Sequence, residues 1–193
     1  MVSTLSPVRF TVGEYYRIAA SGILEEAFGA GRTELLQGRV VKVAPQGRPH
    51  AVALAGINRL LIGATTDADH VLVQSTVVLG SHDAPEPDFA VFDVPKETPL
   101  ERLPKPILVI EISDSTYKQD SRRKVRIYAG HGIEDYWIVN IPKRRVEVYR
   151  KPLKKAGNPG GWRYGSREWF EVGQTVSMLA RPGVSFEVED MLP

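Results

Sequence analysis

The sequence predicts a mixed α/β fold (α/β or α+β): a mixed β-sheet flanked by helices, with additional β-hairpins. Three observations predict it. The run Ile107–Ile112 is apolar and β-branched, follows Pro104 and Pro106, and reads as a strand buried on both faces. From His50 to Ala64, Val52, Leu54, Ile57, Leu60 and Leu61 recur at near-helical spacing. The order helix, three strands, helix, strand then packs as helices on a sheet. A chain of 193 residues suits a single domain over 1–193, its core at about 33–150, with an N-terminal helix (11–28) and short C-terminal strands (163–190) as decorations.

Taken in order, Thr11-Val12-Gly13-Glu14 has the spacing of a capping box. It opens a helix from about Val12 to Ala27, weakened at Gly22 and ended by Gly29-Ala30-Gly31. Thr33 to Val43 reads as a hairpin, with Leu35, Leu36, Val40, Val41 and Val43 flanking a turn near Gln37-Gly38. The loop Pro45 to Pro49 places His50 in the first turn of the next helix. Val71 to Leu79 is a β-branched strand interrupted by polar Gln74, Ser75 and Thr76, and Asp88 to Val94 is a second short strand. Pro95 to Pro106 is a loop before the third strand.

Ser113, Ser115 or Thr116 caps a helix from about Thr116 to Ala129, which Gly130 and Gly132 end. Tyr136–Ile141 and Arg145–Tyr149 form a hairpin around Pro142-Lys143-Arg144. Lys151 to Gly161 is expected to be a mobile loop, and the tail from Arg163 to contribute short strands without recognisable chemistry.

Composition narrows the classes of function. Apolar content of 42% and charged content of 25% describe an ordinary globular protein. A net charge of +2 is too small to point to a polyanion, so local clustering must decide. The absence of cysteine excludes disulfides, thiolate metal sites and cysteine nucleophiles, and makes the cytoplasm the expected location. No apolar run approaches the roughly 20 residues that span a bilayer, so no membrane partner is expected. Met1 to Phe10 lacks the charged and apolar regions of a secretion signal.

The chemistry centres on one acid in an apolar strand. An ionised carboxylate buried without a partner is very costly, so Glu111 must face a cation, a metal, or water in a cleft. Strand alternation puts Glu111 and Ser113 on one face and Ile110 and Ile112 on the other. Asp88 begins the preceding strand. If the two strands are antiparallel neighbours, Asp88 and Glu111 converge. Two carboxylates and the main-chain carbonyl of Ile112 make an all-oxygen site suited to Mg²⁺ or Mn²⁺. Asp120, Lys124 and Tyr128 follow i, i+4, i+8 spacing on one side of the next helix, where Lys124 can either pair with Asp120 in solvent or reach back over the strand end.

Pro87-Asp88, Glu111-Ile112-Ser113, Asp120, Lys124 and the run Gly132 to Val139 together resemble the Uma2 family of the PD-(D/E)xK nuclease superfamily. The resemblance extends to Glu34 to Val41 and to His50, about three quarters of the chain. It implies a restriction-endonuclease-like fold and a Mg²⁺- or Mn²⁺-dependent endonuclease hydrolysing DNA. In that superfamily two acids hold metal, and a lysine two residues after the second acid positions or activates the attacking water. Ser113 stands at that lysine position, and Lys124 is the nearest substitute. The resemblance thus implies Asp88, Glu111 and the Ile112 carbonyl as metal ligands, Lys124 as the catalytic cation, Glu34 as a completing ligand and His50 as a phosphate contact or auxiliary acid or base.

Each residue has a structural alternative. Asp88 is also a turn residue, and Glu111 also suits a buried ion pair with arginine. Glu34 also suits pairing with Arg32 or Arg39 across the hairpin, and His50 a surface position. Gln74 is a further site candidate or a hydrogen-bonded core residue. Tyr128, Tyr136 and Trp137 read as core packing with polar tips. Basic clusters at Lys118 to Arg126, Lys143 to Arg145 and Arg150 to Lys155 suit either solvated faces or phosphate contacts. Trp162, Tyr164 and Trp169 pack short strands or stack on bases. The rivals to a nuclease are a catalytically inactive nucleic-acid-binding or regulatory module of the same fold and a small-molecule enzyme using the same carboxylates. A homodimer is expected, because two strands need two sites.

Overall fold

The structure, a computed structural model, describes residues 8–29, 31–154 and 161–193. The segment expected to lack a secretion signal lies mostly outside these residues, as does most of the loop expected to be mobile. The chain forms two compact units, one from Met1–Pro45 with Thr76–Glu86 and the other from Gln46–Ser75 with Pro87–Pro193.

In the first unit, α1 (Val12–Ala20) opens on the predicted capping box: the Glu14 amide donates to Thr11 Oγ1 at 3.3 Å and the Thr11 amide to the Glu14 carboxylate at 2.7 Å. The single helix expected to reach Ala27 is two helices. Gly22 adopts a φ of 80°, and α2 (Ile23–Phe28) restarts beyond it. Strands β1 (Thr33–Leu36) and β2 (Arg39–Lys42) form the expected antiparallel hairpin. Its turn residues Gln37 and Gly38 have φ values of 56° and 74°, the left-handed pair of a type I′ turn.

A side chain on Gly38 would meet Arg9 Cβ at 2.7 Å and the Phe10 carbonyl at 3.1 Å. Gly38→Ala is therefore expected to destabilise this hairpin by about 1–3 kcal/mol. A lowered denaturation midpoint would show it; an unchanged midpoint would mean that the turn relaxes freely.

The second unit is built on a six-stranded sheet in the order β3-β4-β5-β6-β7-β8. Its strands are β3 (His70–Val73), β4 (Phe89–Phe92), β5 (Leu108–Ser113), β6 (Asp135–Asn140), β7 (Arg145–Lys154) and β8 (Trp162–Glu171). All neighbours are antiparallel except β5 and β6, which run parallel. That pair needs a crossover, and the segment carrying Lys124 supplies it. The strand expected over Val71 to Leu79 stops at Val73, because Gln74 turns to a φ of 46° and leaves the ladder.

The sheet has two unlike faces. On one, Phe89, Val91, Ile110, Ile112, Trp137, Val139, Val146 and Val148 pack against Ala53, Ile57 and Leu61 of α3 (Arg48–Ala64). The C-terminal strands β9 (Thr175–Ser177) and β10 (Ser185–Glu187) complete that core through Val176 and Phe186. On the other face Glu111, Ser113, Asn140 and Glu147 are all buried. Strand alternation alone puts these polar residues together, and the crossover helix covers them.

The C-terminal part departs from expectation in two ways. Lys151–Lys154 extend β7 instead of starting a loop, and β8 is a ten-residue edge strand rather than a short one.

Candidate active site

Asp88 stands immediately before β4. The pairing Phe89↔Ile110 and Ala90↔Val109, carried back one residue, sets Asp88 beside Glu111. This is the antiparallel neighbour relation on which convergence of the two acids depends. Asp88 is well supplied with donors: the Ile112 amide donates to Oδ2 at 2.7 Å and Gln74 Nε2 to Oδ1 at 3.1 Å. His50 Nε2 lies 3.1 Å from Oδ1 and 3.2 Å from Oδ2. His50 itself is 6% exposed, so it is no surface residue, and its Nδ1 is buried without a hydrogen-bond partner. Gln74 reaches Asp88 because its left-handed backbone ends β3 at that point; its amide also donates to the Asp88 carbonyl.

Glu111 is 4% exposed and meets a lysine and a tyrosine. Lys124 Nζ donates to Glu111 Oε1 at 2.9 Å, and Tyr128 Oη donates to the same oxygen at 2.7 Å. Of the two sequence alternatives for Lys124, the structure shows the reach back to the strand. The helix does this through a wide turn. From Gln119 to Lys124 it has π geometry, with the Val125 amide donating to the Asp120 carbonyl five residues back, before α4 (Val125–Gly130) resumes normal pitch. Asp120 and Lys124, four residues apart, both face the sheet; Asp120 is 3% and Lys124 5% exposed.

Asp120 is a site-lining acid that sequence reasoning did not place among the site residues. It accepts hydrogen bonds from Ser113 Oγ and, at 2.7 Å, from Thr116 Oγ1. Burial pushes its carboxyl above the ordinary range and Asp88 adds to the rise, against Lys124 and the two hydroxyls. Ser113, at the position where the resemblance expects lysine, is thus a hydrogen-bond donor to Asp120. Tyr128 was the other omission: its ring packs at 4.8 Å from Tyr136 as core, while its hydroxyl enters the site. The i, i+4, i+8 spacing of Asp120, Lys124 and Tyr128 was the available signal for both.

Glu34 belongs to the first unit, where it is buried on β1 and accepts from the Glu86 amide at 2.8 Å. Ile112 contributes its amide to Asp88, so its backbone runs against that carboxylate. Three carboxylates, Asp88, Glu111 and Asp120, are buried here, and the buried Lys124 ammonium sits on Glu111. Such an excess of negative charge suits a hard cation with oxygen ligands. Among the described residues no three His, Asp or Glu side chains form a ready-made metal cluster. Among them also no helix is long and apolar enough to cross a membrane.

A mixed sheet with a parallel central pair, a crossover helix and acids at the strand ends defines a nuclease-like α/β fold. A solved structure described as a "putative nuclease belonging to DUF820", from Anabaena variabilis, shares it, with a TM-score of 0.66, 16% identity, and coverage of 96% of this chain and 97% of that one. The model of the family Uma2, described as "Putative restriction endonuclease", matches residues 14–189. The chain belongs to the Uma2 family. No curated protein matches it.

Proposed function

We propose that this protein is a divalent-metal-dependent endonuclease that hydrolyses DNA phosphodiester bonds. The observation that carries the proposal is the hydrogen bond of Lys124 to Glu111 at 2.9 Å, with Asp88 in register beside Glu111. Membership in a family described as "Putative restriction endonuclease" supports the reaction class.

Asp88, Glu111 and the Ile112 carbonyl would hold Mg²⁺ or Mn²⁺. When bound, such an ion polarises a phosphoryl oxygen and lowers the pKa of water. Gln74 and the Ile112 amide fix the Asp88 carboxylate, and Tyr128 fixes Glu111. The Lys124 ammonium neutralises charge that develops on the phosphate and orients the attacking water. His50, already on Asp88, contacts a phosphate oxygen or serves as auxiliary acid or base through its unpartnered Nδ1. DNA is the substrate, the protein acts as a homodimer so that two sites meet two strands, and it works in the cytoplasm, consistent with its lack of cysteine.

Calorimetric titration of Mg²⁺ and Mn²⁺ tests the ligand assignment. The wild type is expected to bind, and Asp88→Ala and Glu111→Ala to lose binding while remaining folded. Equal binding by both variants would remove these acids from the metal site. One observation favours an inactive binding module instead: Ser113 is committed to Asp120, so no lysine occupies the usual motif position. Metal binding without cleavage of any DNA substrate would select that reading.

A further inference from the structure

On the polar face of the sheet, two strands from Glu111, lies a second buried acid that the proposed chemistry does not use. Glu147 is 0% exposed and pairs in register with Ile138, which pairs with Glu111. It accepts from Asn140 Nδ2 at 3.0 Å, Tyr149 Oη at 3.0 Å, Tyr117 Oη at 3.0 Å, Arg145 Nη2 at 2.8 Å and Arg167 Nη2 at 2.5 Å. Its cross-strand neighbour on β8 is Trp169, which is 50% exposed, although the core of this unit buries Trp137 completely. The Arg145 and Arg167 guanidinium carbons lie 5.3 and 5.2 Å from the Trp169 ring centroid, and Arg167 also lies 5.1 Å from the Tyr149 ring.

This is a built surface. Glu147 holds two guanidiniums in fixed orientation, so their ordering entropy is spent before any ligand arrives. One carboxylate offsets only one of the two charges, leaving a cationic pair around a half-exposed indole. Exposed Arg144 adjoins Arg145 in the chain, and exposed Lys118 adjoins Tyr117, whose hydroxyl accepts from Arg167 at 2.8 Å. The acids of this edge strand are Glu171, opposite Arg145, and Glu168, which points to the other face opposite Val148. Planar cations stacked with an aromatic ring match alternating bases and phosphates: bases stack on indole and guanidinium planes, and phosphates take the guanidinium N–H groups.

We propose that Trp169, with Arg145 and Arg167, is a stacking platform for single-stranded DNA on the outer strand of the sheet. The inference rests on the reading of this protein as a DNA-acting enzyme and names the form of DNA that it holds. Three strand spacings separate Trp169 from Glu111, about 14 Å, a span of a few nucleotides.

The test is fluorescence anisotropy of a labelled oligothymidylate in EDTA, with hydrolysis of bis(p-nitrophenyl) phosphate in Mn²⁺ measured on the same samples. That diester is too small to reach from the acids to Trp169. Trp169→Ala is expected to weaken oligonucleotide binding at least about fivefold, Trp169→Phe to retain most of it, and both to hydrolyse the small diester as the wild type does. Wild-type oligonucleotide affinity in Trp169→Ala overturns the platform, as does preferential binding of duplex that ignores the substitution. Absence of diester hydrolysis in the wild type, with the Trp169 effect intact, would count against the nuclease reading and leave the platform standing.

Discussion

Lys124→Met is expected to cost about 3–5 kcal/mol of stability, because it leaves the Glu111 carboxylate buried without its ammonium. Both side chains are nearly inaccessible, at 6% and 5% exposure, so water cannot replace the lost partner. Lys124→Met combined with Glu111→Gln is expected to recover much of that loss, since a neutral amide oxygen still accepts from Tyr128. Denaturant unfolding of the wild type, the two single variants and the double variant measures the coupling directly. A Lys124→Met loss below about 1 kcal/mol would place the ammonium in solvent, as in the intrahelical alternative.

Glu147→Ala is the second large effect, on the order of 3–5 kcal/mol, because it strands two guanidiniums and three neutral donors around a void. Glu147→Gln separates charge from shape through pH. Burial pushes the Glu147 carboxyl up, but hydrogen bonds from Arg167, Arg145 and Asn140 outweigh it and leave the group below its ordinary value of 4.5. A carboxyl lower in the folded than in the unfolded state stabilises fully above 4.5 and loses that contribution as pH falls through the folded value. Asp120 runs the other way: its raised carboxyl favours folding below 3.8, and that contribution is lost as pH rises through the folded value. Acid unfolding of the wild type should therefore flatten in Glu147→Gln on the low-pH limb. An unchanged limb would mean that other carboxylates dominate it.

The sequence carried the sheet and its acid further than the details around them. Glu111 was conspicuous because one acid interrupts an apolar, β-branched run, and physical cost alone demanded a partner. The partner's reach was harder to read. Ideal helical spacing puts Asp120 and Lys124 on one side, but it does not announce the π turn between them, where the Asp120 carbonyl accepts from the Tyr136 hydroxyl at 3.2 Å. Gln74 looked like an interior strand position; its left-handed backbone is a tertiary choice that no alternation pattern announces. His50 read rather as a surface residue, because nothing local to a helix start reveals that Asp88, thirty-eight residues later, closes over it. The Glu147 network was invisible for the same reason. It joins Tyr117, Arg145 and Arg167 from three elements, and the tail bearing Arg167 and Trp169 carries no motif.

The most direct test of the account is nicking of supercoiled plasmid by the purified protein with Mg²⁺ or Mn²⁺, run beside Asp88→Ala, Glu111→Ala and Lys124→Ala. Metal-dependent nicking is predicted, abolished by EDTA and by either acid variant, and slowed by about 10²–10³-fold without Lys124. Nicking that persists in EDTA, or that proceeds at the wild-type rate in Lys124→Ala, would contradict it.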